Sequence, residues 1–118
     1  MPFVAAWARA FLLTALIEGC VALPLLKSAE RRFSRRAGLV FFAQLASHPA
    51  VWFIFPELGL SRAWYLVVAE GWALASEALF YRLAFPALTW KRTLGVSLLA
   101  NGASYAVGLG LRALTGWV

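Results

Sequence analysis

Three glutamates, Glu18, Glu70 and Glu77, stand inside long apolar runs, and they are three of only five acidic residues in the chain. A carboxyl in such a setting has two uses. Protonated, it donates a hydrogen bond to a nearby amide or carbonyl; ionised, it needs a cation, a donor or water. Gln44, His48, Asn101, Ser104 and Tyr105 stand in similar apolar surroundings and supply donors and acceptors of the right kind. Together these eight residues are the candidate substrate- or ion-binding groups, and the chemistry they suggest is the handling of protons, cations or a small polar solute.

Other chemistries find little support. The lone cysteine, Cys20, excludes an intrachain disulfide, and one histidine with one cysteine excludes the zinc patterns built on several such residues. A haem held by two protein ligands lacks a second histidine, and the only methionine is Met1. No cofactor and no metal are therefore expected. Nucleophile elbows, phosphate-binding loops and metalloprotease helices are missing. An intramembrane hydrolase with Glu70 and His48 activating water is the weakest of three functional readings. Cys20 is expected to be a small packing residue.

The elements that would position these groups are long helices. The chain is 63% hydrophobic and 14% charged, with a mean hydropathy of +0.77. Soluble domains sit near half apolar and a quarter charged, so lipid is the expected surrounding. Four apolar segments, at about 3–26, 37–55, 63–85 and 93–114, each reach the ~20 residues that cross a ~30 Å hydrocarbon core. The expected fold is all-α: a polytopic integral membrane protein, a four-transmembrane-helix bundle in one domain over 1–118, built as two tandem helical hairpins. The first segment lacks a basic leader and is interrupted by Arg9, so it is expected to be retained.

Charge orients the segments. Eight of the eleven basic residues, Lys27, Arg31, Arg32, Arg35, Arg36, Arg82, Lys91 and Arg92, fall in or beside the first and third connections. The positive-inside rule places those connections in the cytoplasm and both termini outside, in a bacterial inner (cytoplasmic) membrane. The net charge of +6 is thereby a topology and lipid-headgroup signal, and no nucleic-acid partner is expected. Trp7, Trp52, Trp64 and Trp117 fall near the outer interface, and Trp90 and Tyr81 near the inner one.

Depth follows from counting. Glu18, Gln44, Glu77 and Asn101 each lie about seven or eight residues from the basic end of a segment, or ~10–12 Å deep. His48 and Glu70 fall at a second level nearer the other side, with Tyr105 close to them. Gln44, Ser47, His48 and Val51 share one helical stripe; Asn101, Ser104, Tyr105, Gly108 and Arg112 share another. Pro49 is expected to kink the second helix by freeing the carbonyl of Leu45. Small residues spaced by four, Ala15 with Gly19, Gly71 with Ala75, and Gly102 with Ala106 and Gly110, are expected to line close-packing faces. The stretches GLVFFAQLAS and GVSLLANGAS align without gaps, matching Gly38 to Gly95, Gln44 to Asn101 and Ser47 to Ser104. A looser echo matches Glu18 to Glu77 and suggests a parallel duplication.

In size, helix count and the placing of Glu18, the layout resembles small multidrug-resistance transporters. The third segment, AEGWALASEALFY, and the charge bias depart from that family's pattern, so no site residue is carried over. The leading functional expectation is a transport or channel-type bundle, forming a homo-oligomer because four helices enclose little volume. The alternative is a structural or accessory subunit of a membrane complex, bound to a partner membrane protein, whose own polar residues serve packing between its helices.

Overall fold

The computed structural model describes residues 2–115. Four helices account for most of them: α1 (Pro2–Leu25), α2 (Phe33–Pro49), α3 (Arg62–Ala84) and α4 (Trp90–Thr115), with no strand among the described residues. α1 packs on α2 and α4, and α3 packs on the same two, so the helices close into a ring with a long axis of 39 Å. Short connections make sequence neighbours antiparallel. Three helical stretches, Pro2–Leu25, Phe33–Leu58 and Trp90–Thr115, are long and apolar enough to cross a membrane. α3 has similar length and carries Glu70 and Glu77 within its run.

Burial runs opposite to that of a soluble bundle. The interior holds small residues (Ala10, Ala22, Ala43, Ala69, Ala78, Ala100) and polar ones (Glu18, Gln44, Ser47, Glu77, Thr93, Ser97, Asn101). Many of the large aliphatics face out, with Leu12 at 62%, Leu83 at 71% and Leu98 at 61% exposure. An apolar exterior this extensive requires lipid or protein against it. The tightest packing lies toward the basic end, where Ala22, Leu26, Val40, Ala43, Tyr81, Phe85, Leu88 and Val96 form one cluster.

The second helix departs from expectation at both ends. It begins at Phe33, inside the basic stretch, because the buried Arg36 turns back and donates through Nη1 to the carbonyl of Glu30 at 2.8 Å. At Pro49 the helix widens instead of simply kinking. Residues Ala50–Ile54 form a π-turn, with the Phe55 N–H on the Ala50 carbonyl, and Phe55–Leu58 follow as a 3₁₀ turn. Proline removes one N–H from the ladder, and the wider turn absorbs the mismatch. Side chains of α3 occupy nearby carbonyls: Trp72 Nε1 donates to Ser47 O at 2.9 Å, and Tyr65 OH to Val51 O at 2.8 Å. Gly59, at φ 67°, then ends the segment in the left-handed region that glycine adopts freely. Ser61 caps α3 by accepting from the Trp64 N–H at 3.3 Å, and Thr89 caps α4 by accepting from the Arg92 N–H at 3.2 Å.

Two packing expectations are corrected. Gly71, Ala75, Gly102, Ala106 and Gly110 are exposed, and a Cβ added at any of the three glycines would meet nothing within 4 Å. Only Gly19, with Leu23 at 4.0 Å, borders another side chain, and Ala15 beside it is half-buried. The stripes of α3 and α4 therefore point away from the bundle, because the inward faces carry the polar residues. Cys20 is also exposed and packs nothing in the core. Trp117 lies outside the described residues.

Candidate functional site

Each helix contributes one long polar side chain to a single buried layer. α1 supplies Glu18, α2 Gln44, α3 Glu77 and α4 Asn101, none more than 8% exposed. Gln44 Nε2 donates to Glu18 Oε1 at 3.0 Å and also to Glu77 Oε1. Asn101 Nδ2 donates to Glu77 Oε2 and to the Ser97 carbonyl at 2.9 Å. Ser104 Oγ, one turn further along α4 and half-buried, reaches Glu18 Oε2 at 3.2 Å. The hydrogen bonds run from Ser104 through Glu18, Gln44 and Glu77 to Asn101, the turn of α4 between Asn101 and Ser104 closes the ring around the bundle axis, and each of the four carboxyl oxygens accepts one donor.

Side-chain length explains the pattern. Within each hairpin the amide bonds the glutamate of the same hairpin: Gln44 with Glu18, and Asn101 with Glu77. This is the pairing expected of two related hairpins. Glutamine has one methylene more than asparagine, and Gln44 spends its second proton on Glu77 of the neighbouring hairpin. Asn101 turns its second proton onto its own helix at Ser97. Ser104 crosses to Glu18, whereas its counterpart Ser47 stays on the Gln44 carbonyl at 3.4 Å.

Above this ring a cavity of about 450 Å³ widens toward the end of the bundle away from the basic loops. Glu18, Gln44, Asn101 and Ser104 form its floor; His48, Glu70, Tyr65 and Tyr105 line its wall; Arg62 and Arg112 border its mouth. Arg112 stands eleven residues from Asn101 on α4, a depth of ~16 Å at the helical rise. Below the floor the apolar cluster around Leu26 and Tyr81 seals the bundle. The site is thus open on one side and closed on the other.

All eight sequence-predicted residues border this space or its floor, but they are not equivalent. Glu18, Gln44, Glu77, Asn101 and Ser104 form one hydrogen-bonded unit. His48, Glu70 and Tyr105 share the cavity wall without joining that unit. His48 packs edge-on to Phe11 at 5.4 Å and stacks on Trp52 at 6.5 Å, and its buried Nδ1 has no partner. No hydrogen bond joins it to Glu70 among the described residues. Glu70 and Arg112 form no ion pair. Among the described residues the ion pairs are confined to Glu30, with Arg32 and Arg35 at 3.3 Å each. No cluster of three metal-ligating side chains occurs among the described residues.

Sequence reasoning overlooked Ser97, Thr14 and Tyr65. Ser97 is fully buried and donates to the Leu74 carbonyl at 2.8 Å, tying α4 to α3 beside the ring. Ser97 and Thr14 each precede a ring residue by four, on the same helical face, which is the signal that could have found them. Comparison with known protein families, with curated proteins and with solved structures finds no match.

Proposed function

We propose that this chain is a four-span membrane bundle that binds and passes protons or small cations through the Glu18–Glu77 pair. One observation carries the proposal. Two carboxyls meet at a single amide in the bundle core, at the floor of a cavity, with no cationic side chain within ion-pair distance. Buried carboxylates without a counter-charge are costly, and a proton or a cation entering from the cavity supplies that charge. Glu18 borders the cavity directly, and Glu77 lies behind Gln44 and Asn101. Charge therefore arrives at Glu18 first, and the shared amide couples the second carboxyl to the first. Release toward the basic end requires the cluster around Leu26, Tyr81 and Val96 to part.

In this proposal α3 spans the membrane with the other three helices, Glu77 buried inside the bundle and Glu70 facing the open cavity. The basic connections face the cytoplasm of a bacterial inner membrane, and both ends of the chain face outward. The exposed small-residue faces of α3 and α4 allow a second helix to approach, from another copy or from a partner membrane protein.

The test is flux in proteoliposomes. Glu18→Gln and Glu77→Gln should abolish proton or cation movement while leaving a folded protein. Unchanged flux in both variants would refute the proposal. A structural role is the second reading, favoured by the ring itself, since every carboxyl oxygen already has a donor. It expects the Gln variants to be silent and the double Leu variant to melt earlier in detergent; a double Leu variant as stable as the parent would remove it.

A further inference from the structure

A second crevice lies at the opposite end of the molecule and plays no part in the carboxyl site. It has a volume of about 380 Å³ and runs between the last turn of α1 and the first turns of α4. Leu25, Val96 and Leu99 make its apolar wall, and Lys91 and Arg92 its rim. The crevice is open beside Gly95, where an added Cβ would meet nothing within 4 Å. Arg92 is positioned by the fold: its Nη2 donates to the Leu25 carbonyl at 3.1 Å, which holds the guanidinium across the crevice.

The charge at this end has no internal complement. Glu30, the one carboxylate near the basic loops, is engaged by Arg32 of its own loop and Arg35 in the first turn of α2. Lys91 and Arg92 form no ion pair among the described residues. Both walls belong to helices long and apolar enough to cross a membrane, and the crevice lies at their shared end. It therefore sits where hydrocarbon meets water, with a cationic rim on the water side and an apolar wall on the hydrocarbon side.

We propose that this crevice binds one anionic phospholipid, its phosphate on Lys91 and Arg92 and an acyl chain along Leu25, Val96 and Leu99. Charge complementarity selects an anionic headgroup over a zwitterionic one, and the apolar wall selects a lipid over a free phosphate.

Native mass spectrometry of the full chain in detergent micelles tests this with three probes: phosphatidylglycerol, phosphatidylcholine and inorganic phosphate. One phosphatidylglycerol should be retained about tenfold more tightly than phosphatidylcholine, and inorganic phosphate should not compete. Lys91→Ala and Arg92→Ala should remove the preference for the anionic lipid. Gly95→Leu, which fills the crevice and leaves every charge in place, should weaken retention of both lipids. A loop variant, Arg31→Ala with Arg35→Ala, should retain the parent's preference. Loss of the preference in the loop variant but not in the crevice variants would overturn the proposal in favour of diffuse attraction to the basic loop. Competition by inorganic phosphate would overturn it as well.

Discussion

Gln44 is the point on which the buried ring turns, and its replacement by methionine gives a quantitative test of the geometry. Methionine nearly preserves the volume, so the change removes two donors without opening a large void. Glu18 Oε1 and Glu77 Oε1 then lose the donor they share. Side-chain hydrogen bonds inside membrane proteins contribute ~0.6–1.7 kcal/mol each, so losing two should destabilise the fold by ~1–3 kcal/mol. Gln44 borders the cavity, and water entering there would offset part of the loss, which favours the lower half of that range. Asn101→Leu should cost a similar amount, because it strips Glu77 Oε2 and the Ser97 carbonyl of one amide. The stronger test is coupling. If Gln44 bridges both carboxyls, combining Gln44→Met with Glu77→Met should cost less than the two single changes added together, because the second change removes an acceptor already stranded by the first. Unfolding by SDS titration in mixed micelles, run on the four species of the cycle, reads this directly. A Gln44→Met cost below about 0.3 kcal/mol, or additivity within the ~0.3–0.5 kcal/mol expected of independent sites, would refute the bridge.

Other outcomes follow from single residues. Tyr81 is fully buried with no partner for its hydroxyl, so Tyr81→Phe should stabilise the protein by ~1 kcal/mol, read as a higher melting temperature; a lower one would mean the hydroxyl is bonded. The cavity is open on one side, so Ser104→Cys in a Cys20→Ser background should react with a water-soluble thiol reagent, and Val40→Cys in the same background should not. Equal labelling at the two positions would contradict a sealed basic end. The Arg32 N–H, with the Arg32 and Arg35 guanidinium groups, holds the Glu30 carboxyl below its ordinary value of 4.5. Its contribution to stability is complete above that value and is lost as the pH falls through the lower folded-state value. Glu30→Gln should therefore flatten the acid side of a melting-temperature profile and leave the neutral side's slope unchanged; an unaltered acid limb would remove Glu30 from the account.

Depth along the bundle was legible from residue counting alone. Each helix advances 1.5 Å per residue and has one end near a basic connection, so Glu18, Gln44, Glu77 and Asn101 had to share a level once the segments were helical and antiparallel. The charge bias and the apolar length are likewise properties of the chain read in one dimension. Direction around each helix axis was legible only where polar residues marked a face, as on α2 and α4. On the remaining faces the helices are apolar, and such surfaces carry little information about which neighbour they meet. For that reason Gly71, Gly102, Gly110 and Cys20, which sequence alone assigned to packing, are found on the outside. The π-turn after Pro49 depends on where Trp72 and Tyr65 of another helix place their donors. The choice of partner for each amide proton depends on a one-methylene difference between Gln44 and Asn101, measured across a gap that only the packed helices define. Composition and spacing determined that polar groups would lie inside at matched depth; the tertiary structure decided which of them touch, because contact requires azimuth and distance as well as depth.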